Sequence, residues 1–169
     1  MIQKFEFCNT DFEGAYLIKP FCATDIRGAF IKDYSKEVFE ANGLEHNLAE
    51  VFYTVRCIKG KVFDVIVDLR PESPTFKKWQ GFYLSEENMN ELYVPEHFAH
   101  GYLVLEPSVV SYKCGEKFYG EYDDGIMYND PDLGVEWPFD EIGGIENLII
   151  ADKDKNLQTF KEYEDKYLK

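Results

Sequence analysis

The sequence predicts a mainly β fold, a sandwich or barrel of many short strands with small helices at the ends. Alternating apolar and polar residues and frequent turn residues indicate this class. Aromatic side chains, which favour strands, make up 17% of the 169 residues: 14 Phe, 12 Tyr and 2 Trp. Neither a repeat nor a linker interrupts the pattern, so residues 1–169 are expected to form a single domain.

The charge of the chain limits its expected partners. Lys and Arg number 18 against 32 Asp and Glu, which gives a formal net charge of −14 at pH 7. An acidic surface of this size repels phosphate backbones and anionic lipid, so neither nucleic acid nor a membrane surface is an expected partner. No apolar run approaches the ~18 residues of a membrane span, and residues 1–6 lack a signal-peptide core. We therefore expect a cytoplasmic protein.

Local signals place the first helix and the clearest strand. Ser35 is a possible N-cap for a helix over residues 36–41, which Asn42-Gly43 would end. The residues from Val62 to Arg70 alternate, as in a strand. One face of this strand carries Phe63, Val65, Val67 and Leu69, and the other carries Val62, Asp64, Ile66, Asp68 and Arg70.

Further strands and a closing helix are predicted in the second half of the chain. Residues 102–105 and 109–114 are expected to pair as a hairpin through Glu106-Pro107-Ser108. Near the end, Thr159 and Glu162 make a capping box, which predicts the start of a helix. Phe160, Tyr163 and Tyr167 would form the apolar stripe of that helix.

Cysteine and histidine usage predicts no metal cofactor. The four cysteines, Cys8, Cys22, Cys57 and Cys114, show no Cys-x-x-Cys spacing, so we expect structural thiols rather than zinc ligands or disulfides. Cys57 and Cys114 lie in strand-like sequence, where a buried thiol acts as a small hydrophobic side chain. His97 and His100 alone fall short of the usual three metal ligands, and no His-x-His pair is present.

Five ordered motifs point to a more specific interpretation. The segment Phe98-Ala99-His100-Gly101, taken alone, is more typical of a turn with hydrogen-bonded histidines than of a site. It is accompanied by Asp25-Ile26-Arg27-Gly28-Ala29-Phe30, by the stretch from Val67 to Phe76 with Trp79, by Asn129-Asp130-Pro131 and by Glu136-Trp137-Pro138.

Together these motifs resemble the dTDP-4-dehydrorhamnose 3,5-epimerases, cupin-fold enzymes of deoxysugar (rhamnose) biosynthesis, over nearly the whole chain. The resemblance implies a cupin-like jelly-roll β-barrel, a homodimer, and no metal or organic cofactor. It also implies a nucleotide-linked 4-keto-6-deoxyhexose as substrate, whose C3 and C5 protons are acidified by the C4 ketone. A base removes each proton, cationic groups hold the enolate oxygen, and an acid returns a proton to the opposite face.

The resemblance also implies roles for individual residues. Tyr112 falls at the position of the proposed general acid, although a core tyrosine on the face of Val110 and Cys114 is the rival interpretation. Asp152 matches the acidic residue that orients the catalytic base, but by itself it would pass for an exposed loop charge. Arg27 matches a substrate-binding arginine, where a guanidinium can grip a diphosphate, against the alternative of a surface ion pair. The other residues expected at the substrate are Phe30, Glu50, His100 and Phe118.

One part of the family pattern is absent. The segment 50–54 runs directly into 55–60, where the family continues through roughly twenty further residues, two strands and a turn at typical lengths. That stretch would carry the catalytic His, its neighbouring Arg and the enolate-stabilising Lys.

The absent stretch leaves two functions open. Asp25 or Glu50 could act as a substitute base only if burial raised its pKa toward neutral. Lys32, Arg56 or Lys59 could replace the lost cation. The chain is therefore either an epimerase or a nucleotide-sugar-binding cupin that lacks the base.

Overall fold

The structure is a computed structural model that describes residues 4–25, 28–44, 54–113, 121 and 123–168, with the backbone alone at 23–25 and 28–30. Its described strands and α-helices are β1 Glu6–Asn9, β2 Tyr16–Lys19, β3 Phe21–Asp25, β4 Gly28–Lys32, α1 Lys36–Ala41, β5 Thr54–Lys59, β6 Lys61–Asp68, β7 Trp79–Ser85, β8 Glu91–Tyr93, β9 Phe98–Val104, β10 Val109–Lys113 and α2 Phe160–Tyr167. Short 3-10 turns occupy Phe139–Ile142, Ile145–Asn147 and Asp154–Asn156.

The strands form three sheets. The largest has the strand order β1-β2-β8-β5-β10, a second pairs β3 with β4, and the third has the order β7-β6-β9. The pairs β1–β2, β2–β8, β5–β8, β5–β10, β3–β4 and β6–β9 are all antiparallel. The expected mainly β fold with short helices is confirmed.

The chain divides into two compact units. The first takes its described residues from Met1–Lys61, Leu84–Glu96 and Pro107–Phe118, and it holds the five-stranded sheet, the β3–β4 pair and α1. The second takes them from Val62–Tyr83, His97–Glu106 and Tyr119–Lys169, and it holds α2 and nearly all of the β7-β6-β9 sheet. A single domain over residues 1–169 stays a prediction.

Helix α1 contributes one side chain to a small apolar cluster of the first unit. It covers Lys36–Ala41 as predicted, and Gly43 follows with a φ of 77°, a left-handed conformation that glycine adopts without strain. Phe39 is buried against Ile18 of β2 and Leu44. Ser35 precedes the helix, but its hydroxyl bonds the Glu37 carboxylate at 3.0 Å instead of capping the backbone.

The core of the second unit lies on one face of β6. Phe63, Val65, Val67 and Leu69 are buried there together with Leu103 of β9, Leu133 and Phe160, as the alternation in the sequence predicts. The predicted capping box of α2 is confirmed. Glu162 N donates to Thr159 Oγ1 at 3.2 Å, and Thr159 N donates to Glu162 Oε2 at 2.8 Å.

The predicted hairpin between β9 and β10 is wrong. β9 pairs with β6, and β10 pairs with β5, so the two strands belong to different sheets. Contacts of the connecting loop explain this arrangement. Ser108 Oγ donates to Lys61 O at 3.2 Å, and Gly60 lies so close to Pro107 that a side chain there would collide with its carbonyl oxygen. The loop thus sits against the β5–β6 turn, which directs β10 alongside β5.

Two of the sequence motifs hold the second unit together. Asp130 is buried, and its carboxylate accepts from Phe160 N at 2.9 Å, from Asp132 N at 3.0 Å and from Leu133 N at 3.3 Å. Trp137 packs near Phe63 and donates its indole N–H to Tyr128 O at 2.8 Å. Among the described residues, no helix is both long enough and apolar enough to cross a membrane.

Candidate active site

Two side chains of the second unit pair on the face of the β6–β9 ladder that carries Asp64 and Asp68. Asp64 of β6 lies opposite Tyr102 of β9, and His100 lies opposite Ile66, so Asp64 and His100 are diagonal neighbours on the same face. His100 Nε2 is 3.0 Å from Asp64 Oδ1 and 2.9 Å from Oδ2. The opposite face of the same strands is the apolar core, so the alternation itself aims both side chains away from that core.

The Asp64–His100 pair combines a buried acid with a more accessible base. The Asp64 side chain is fully buried, whereas the His100 side chain is 21% exposed. Burial raises the pKa of the Asp64 carboxyl above its ordinary value, and the His100 ring opposes that rise. A buried carboxylate on one ring nitrogen fixes the orientation and the tautomer of a histidine, which suits the ring for proton transfer.

A second carboxylate of β6, Asp68, organises the turn that follows the strand. Arg70 donates to it through Nε at 2.8 Å and Nη2 at 2.7 Å, and the hydroxyls of Ser73 and Thr75 each donate at 2.6 Å. Burial alone would raise the pKa of Asp68, but these hydrogen bonds outweigh it and hold the pKa well below its ordinary range. The motif from Val67 to Phe76 is therefore a rigid turn around one ionised carboxylate.

This turn also anchors the strand that carries His100. Leu69 N donates to His97 O at 3.0 Å, and the Arg70 guanidinium lies 4.7 Å from the ring centroid of Phe98. His97 itself has a φ of 64°, the left-handed conformation of a turn residue. Contacts with the residues that follow β6 thus hold the start of β9 in place. They also help to set the position of His100, which lies two residues after Phe98.

Tyr112, the predicted general acid, lies on β10 in the first unit. It is opposite Val55 of β5, and Val55 in turn is opposite Leu92 of β8. Its strand face therefore includes the buried residues Val55, Leu92 and Cys57, as the period of the strand predicts. Tyr112 itself is half-buried. Its role as the acid stays a prediction.

The opposite face of that sheet carries charged residues that the sequence reasoning did not connect. Glu91 of β8 is 1% exposed and pairs with Lys113 Nζ, which also contacts Asp33 Oδ2 at 2.9 Å. Arg56 Nη1 is 4.0 Å from the same Asp33 oxygen. Burial raises the pKa of the Glu91 carboxyl, and Lys113 opposes that rise. A signal was present in the sequence, since Glu91 begins and Lys113 ends a short strand whose neighbouring residues are largely apolar or aromatic.

Of the other predicted site residues, Asp152 lies on the surface, and the side chains of the rest lie outside the described residues. The Asp152 side chain is 98% exposed, and it pairs with Lys155 Nζ at 2.7 Å. No contact among the described residues joins it to a histidine. Arg27, Glu50 and Phe118 lie outside the described residues, as does the side chain of Phe30. Their roles stay predictions.

The described residues place no metal centre at this site. In the part of the chain that the structure describes, no group of three or more His, Cys, Asp or Glu side chains could hold a metal ion. Cys8, Cys22 and Cys57 have free thiols, and Cys57 is buried in β5, where it acts as a small core residue. Cys114 lies outside the described residues.

Comparisons with known proteins identify the fold and the family. The profile of the dTDP-4-dehydrorhamnose 3,5-epimerases matches residues 49–162. The dTDP-4-dehydrorhamnose 3,5-epimerase of Methanothermobacter thermautotrophicus is 38% identical, with 94% of this chain and 96% of the relative covered.

Solved structures agree with the sequence matches. The crystal structure of the epimerase from Bacillus anthracis with TDP and PPi bound is 34% identical, covers 93% of this chain and 100% of its own, and has a TM-score of 0.81. The dTDP-6-deoxy-D-glucose-3,5-epimerase of Legionella pneumophila, solved in complex with dTDP-4-keto-L-rhamnose, is 28% identical, covers 94% of both chains and has a TM-score of 0.84. The fold is therefore that of the cupin-type epimerases, as the resemblance implied.

The same comparison shows that the match is longer than the part of this chain that it covers. The match to the Methanothermobacter relative spans 181 positions, whereas 94% of 169 residues is about 159, so about 22 positions have no residue here. The absent stretch of roughly twenty residues, two strands and a turn, expected after residue 54 would account for most of these positions, and its place in the chain stays a prediction. With the profile matching 49–162 and the relatives matched over nearly their whole length, the chain belongs to the dTDP-4-dehydrorhamnose 3,5-epimerase family of isomerases.

Proposed function

We propose that this chain epimerises C3 and C5 of a dTDP-linked 4-keto-6-deoxyhexose in deoxysugar biosynthesis. The observation that carries the proposal is the match over nearly the whole length of 3,5-epimerases, one of which was solved with dTDP-4-keto-L-rhamnose. The Asp64–His100 pair supports it, since a histidine held by a buried carboxylate is suited to proton transfer. The net charge of −14 makes a local cationic pocket necessary for a diphosphate.

The substrate chemistry sets what the residues must do. The C4 ketone acidifies the hydrogens on C3 and C5, so a base can remove either one and leave an enolate. In the proposed arrangement Tyr112 returns a proton to the opposite face, and Arg27 holds the diphosphate. Phe30, Glu50, His100 and Phe118 are the further substrate-binding residues that the resemblance implies. Asp152 is the acidic residue that the resemblance assigns to orienting the histidine of the absent stretch. We further propose that the protein works as a cytoplasmic homodimer.

Isotope exchange tests the reaction directly. The protein is incubated with dTDP-4-keto-6-deoxyglucose in deuterated water, and the sugar is analysed by mass spectrometry and NMR. Deuterium at C3 and C5 above the level without protein is the expected result. If no deuterium enters while calorimetry still detects binding of the sugar nucleotide, the chain is a binder without the catalytic base.

The nucleotide end of the site is tested separately. Arg27→Ala should weaken the binding of dTDP measured by calorimetry, because the guanidinium–diphosphate contact is lost. Lys36→Ala is the matched control, since Lys36 is a surface cation of α1 whose side chain is 60% exposed. An unaltered dissociation constant for Arg27→Ala would refute the assignment.

A further inference from the structure

The absent stretch removes the histidine that serves as base in the family pattern, so an active chain needs another one. Only three histidines are present, His46, His97 and His100. His46 lies outside the described residues, and His97 is an exposed residue of the turn before β9. His100 differs from His97 because a buried carboxylate holds its ring.

Three carboxylates of the described residues make poorer bases than His100. Asp68 accepts four hydrogen bonds from side chains of its own turn, so its oxygens are engaged and its proton affinity is low. The Glu91 carboxylate forms an ion pair with Lys113, and its side chain is only 1% exposed. Asp152 is on the surface with Lys155. A substrate proton needs an acceptor that is both accessible and held, and the Asp64–His100 pair meets both conditions.

We infer that His100, held by Asp64, is the base that removes the sugar C–H proton in this chain, in the role that the family assigns to a histidine of the absent stretch. The inference rests on the proposed epimerase function and goes beyond the substrate-binding role expected for His100. Asp64 is the positioning residue: its carboxylate oxygens lie 3.0 and 2.9 Å from Nε2. In the tautomer that a carboxylate favours, Nε2–H donates to Asp64 and the basic lone pair of the neutral ring is on Nδ1.

The step balances without any further reagent. Nδ1 of His100 takes the proton from C3 or C5, the C–H electron pair becomes the C=C bond of the enolate, and the carbonyl pair moves to the C4 oxygen. A general acid then donates a proton to the opposite face of the same carbon, and the C4 ketone re-forms. The imidazolium and the conjugate base of that acid return to their starting states by proton exchange with water.

The surroundings of Asp64 favour this direction of transfer. The Asp64 carboxylate is fully buried, and an isolated buried charge is costly. An imidazolium whose Nε2 lies 2.9 Å away compensates that charge, so the protonated ring and Asp64 would form an ion pair once the proton has been taken. An Asn at position 64 would keep the shape and remove this effect.

The test compares three variants in the deuterium-exchange assay with dTDP-4-keto-6-deoxyglucose. His100→Ala should lose on the order of 10²–10⁴-fold in exchange rate, the usual contribution of a general base, and added imidazole should restore part of the rate. Asp64→Asn should lower kcat with little change in KM, which loss of packing alone would not do. His97→Asn is the control: Asn tolerates the left-handed φ of that position, and the rate should stay near wild type.

The outcomes separate this inference from the proposed function. If the wild-type protein exchanges and His100→Ala keeps the wild-type rate, His100 is not the base, although the epimerase function stands. Loss of exchange without rescue by imidazole, together with lost dTDP binding by calorimetry, would also overturn the inference, because His100 would then serve binding or structure. If the wild-type protein catalyses no exchange at all, the proposed function fails and this inference fails with it.

Discussion

Lys113 of β10 reaches across β5 to the carboxylate of Glu91 on β8. The two residues are on strands that do not touch, and Arg56 of the strand between them pairs in register with Glu91. Only a side chain as long as lysine bridges two strand spacings, about 10 Å. The pair ties together three strands of the sheet that also carries Tyr112.

Breaking this buried pair should be far more costly than breaking a surface pair. Lys113→Met leaves the Glu91 carboxylate without its main partner, so we expect a loss of about 3–5 kcal/mol in the free energy of unfolding by urea. The double variant Glu91→Leu/Lys113→Met should lose clearly less than the sum of the single variants. Lys19→Met is the control, because Lys19 and Glu6 pair at 3.2 Å on the surface and should contribute at most about 1 kcal/mol. Additive single and double losses would contradict the coupling.

The Asp68 turn predicts a specific pH dependence of stability. The folded-state pKa of Asp68 lies below its ordinary value of 3.8, so its stabilising contribution is complete above pH 3.8 and is lost as the pH falls through the folded-state pKa. Asp68→Asn should therefore destabilise the protein at neutral pH, and the difference from wild type should shrink below pH 3.8. Urea unfolding at several pH values measures this.

Asp152→Asn is the matched control for that experiment. Its side chain is 98% exposed, so the same substitution should leave the free energy of unfolding nearly unchanged at every pH. A difference between Asp68→Asn and wild type that stays constant down to the acid transition would argue against an ionised Asp68 at the centre of the turn.

Gly81 of β7 leaves too little room for a side chain. A Cβ at this position would lie well inside contact distance of the Phe63 ring, which is itself packed 5.1 Å from the Tyr83 ring and 6.3 Å from that of Trp137. We expect Gly81→Ala to cost about 1–3 kcal/mol through overpacking and Phe63→Leu to recover part of the loss in the double variant. Gly101→Ala should be milder, because its Cβ would meet Trp137 at 3.9 Å. Equal thermal stabilities of the two glycine variants would contradict this packing.

The predicted acid can be separated from a merely structural tyrosine. Tyr112→Phe keeps the ring in its place on β10 and removes the proton donor, so turnover should be abolished while calorimetry finds nearly unchanged binding of dTDP. Tyr167→Phe is the control, since Tyr167 lies on the surface of α2 and is 49% exposed. An unchanged rate for Tyr112→Phe would exclude the role.

Local signals in the sequence were sufficient for several elements. The capping box of Thr159 with Glu162 involves residues three apart, and the alternation of β6 needs only the period of a strand. Such features are decided within a few residues, so the sequence reveals them. Family resemblance added the fold and pointed to Tyr112 and His100.

Features that depend on distant partners escaped prediction. The predicted hairpin after β9 is wrong because Pro107 and Ser108 pack against the β5–β6 turn, 47 residues earlier in the chain. This contact, which lies far away in the sequence, places β10 beside β5. From the sequence, Asp64 was assigned only to one face of a strand. Its pairing with His100, 36 residues later, was not predicted, because no local pattern shows that the two residues are diagonal neighbours.

The carboxylate of Asp130 closes the first turn of a helix that begins thirty residues later in the chain. The Phe160 amide therefore has an acceptor that exists only while both segments are in place, and the Phe160 side chain is fully buried. An amide of this kind exchanges its hydrogen with solvent only when the surrounding structure opens as a whole. The exchange rate of the Phe160 amide, read from a single NMR peak, would then report how often the second unit unfolds.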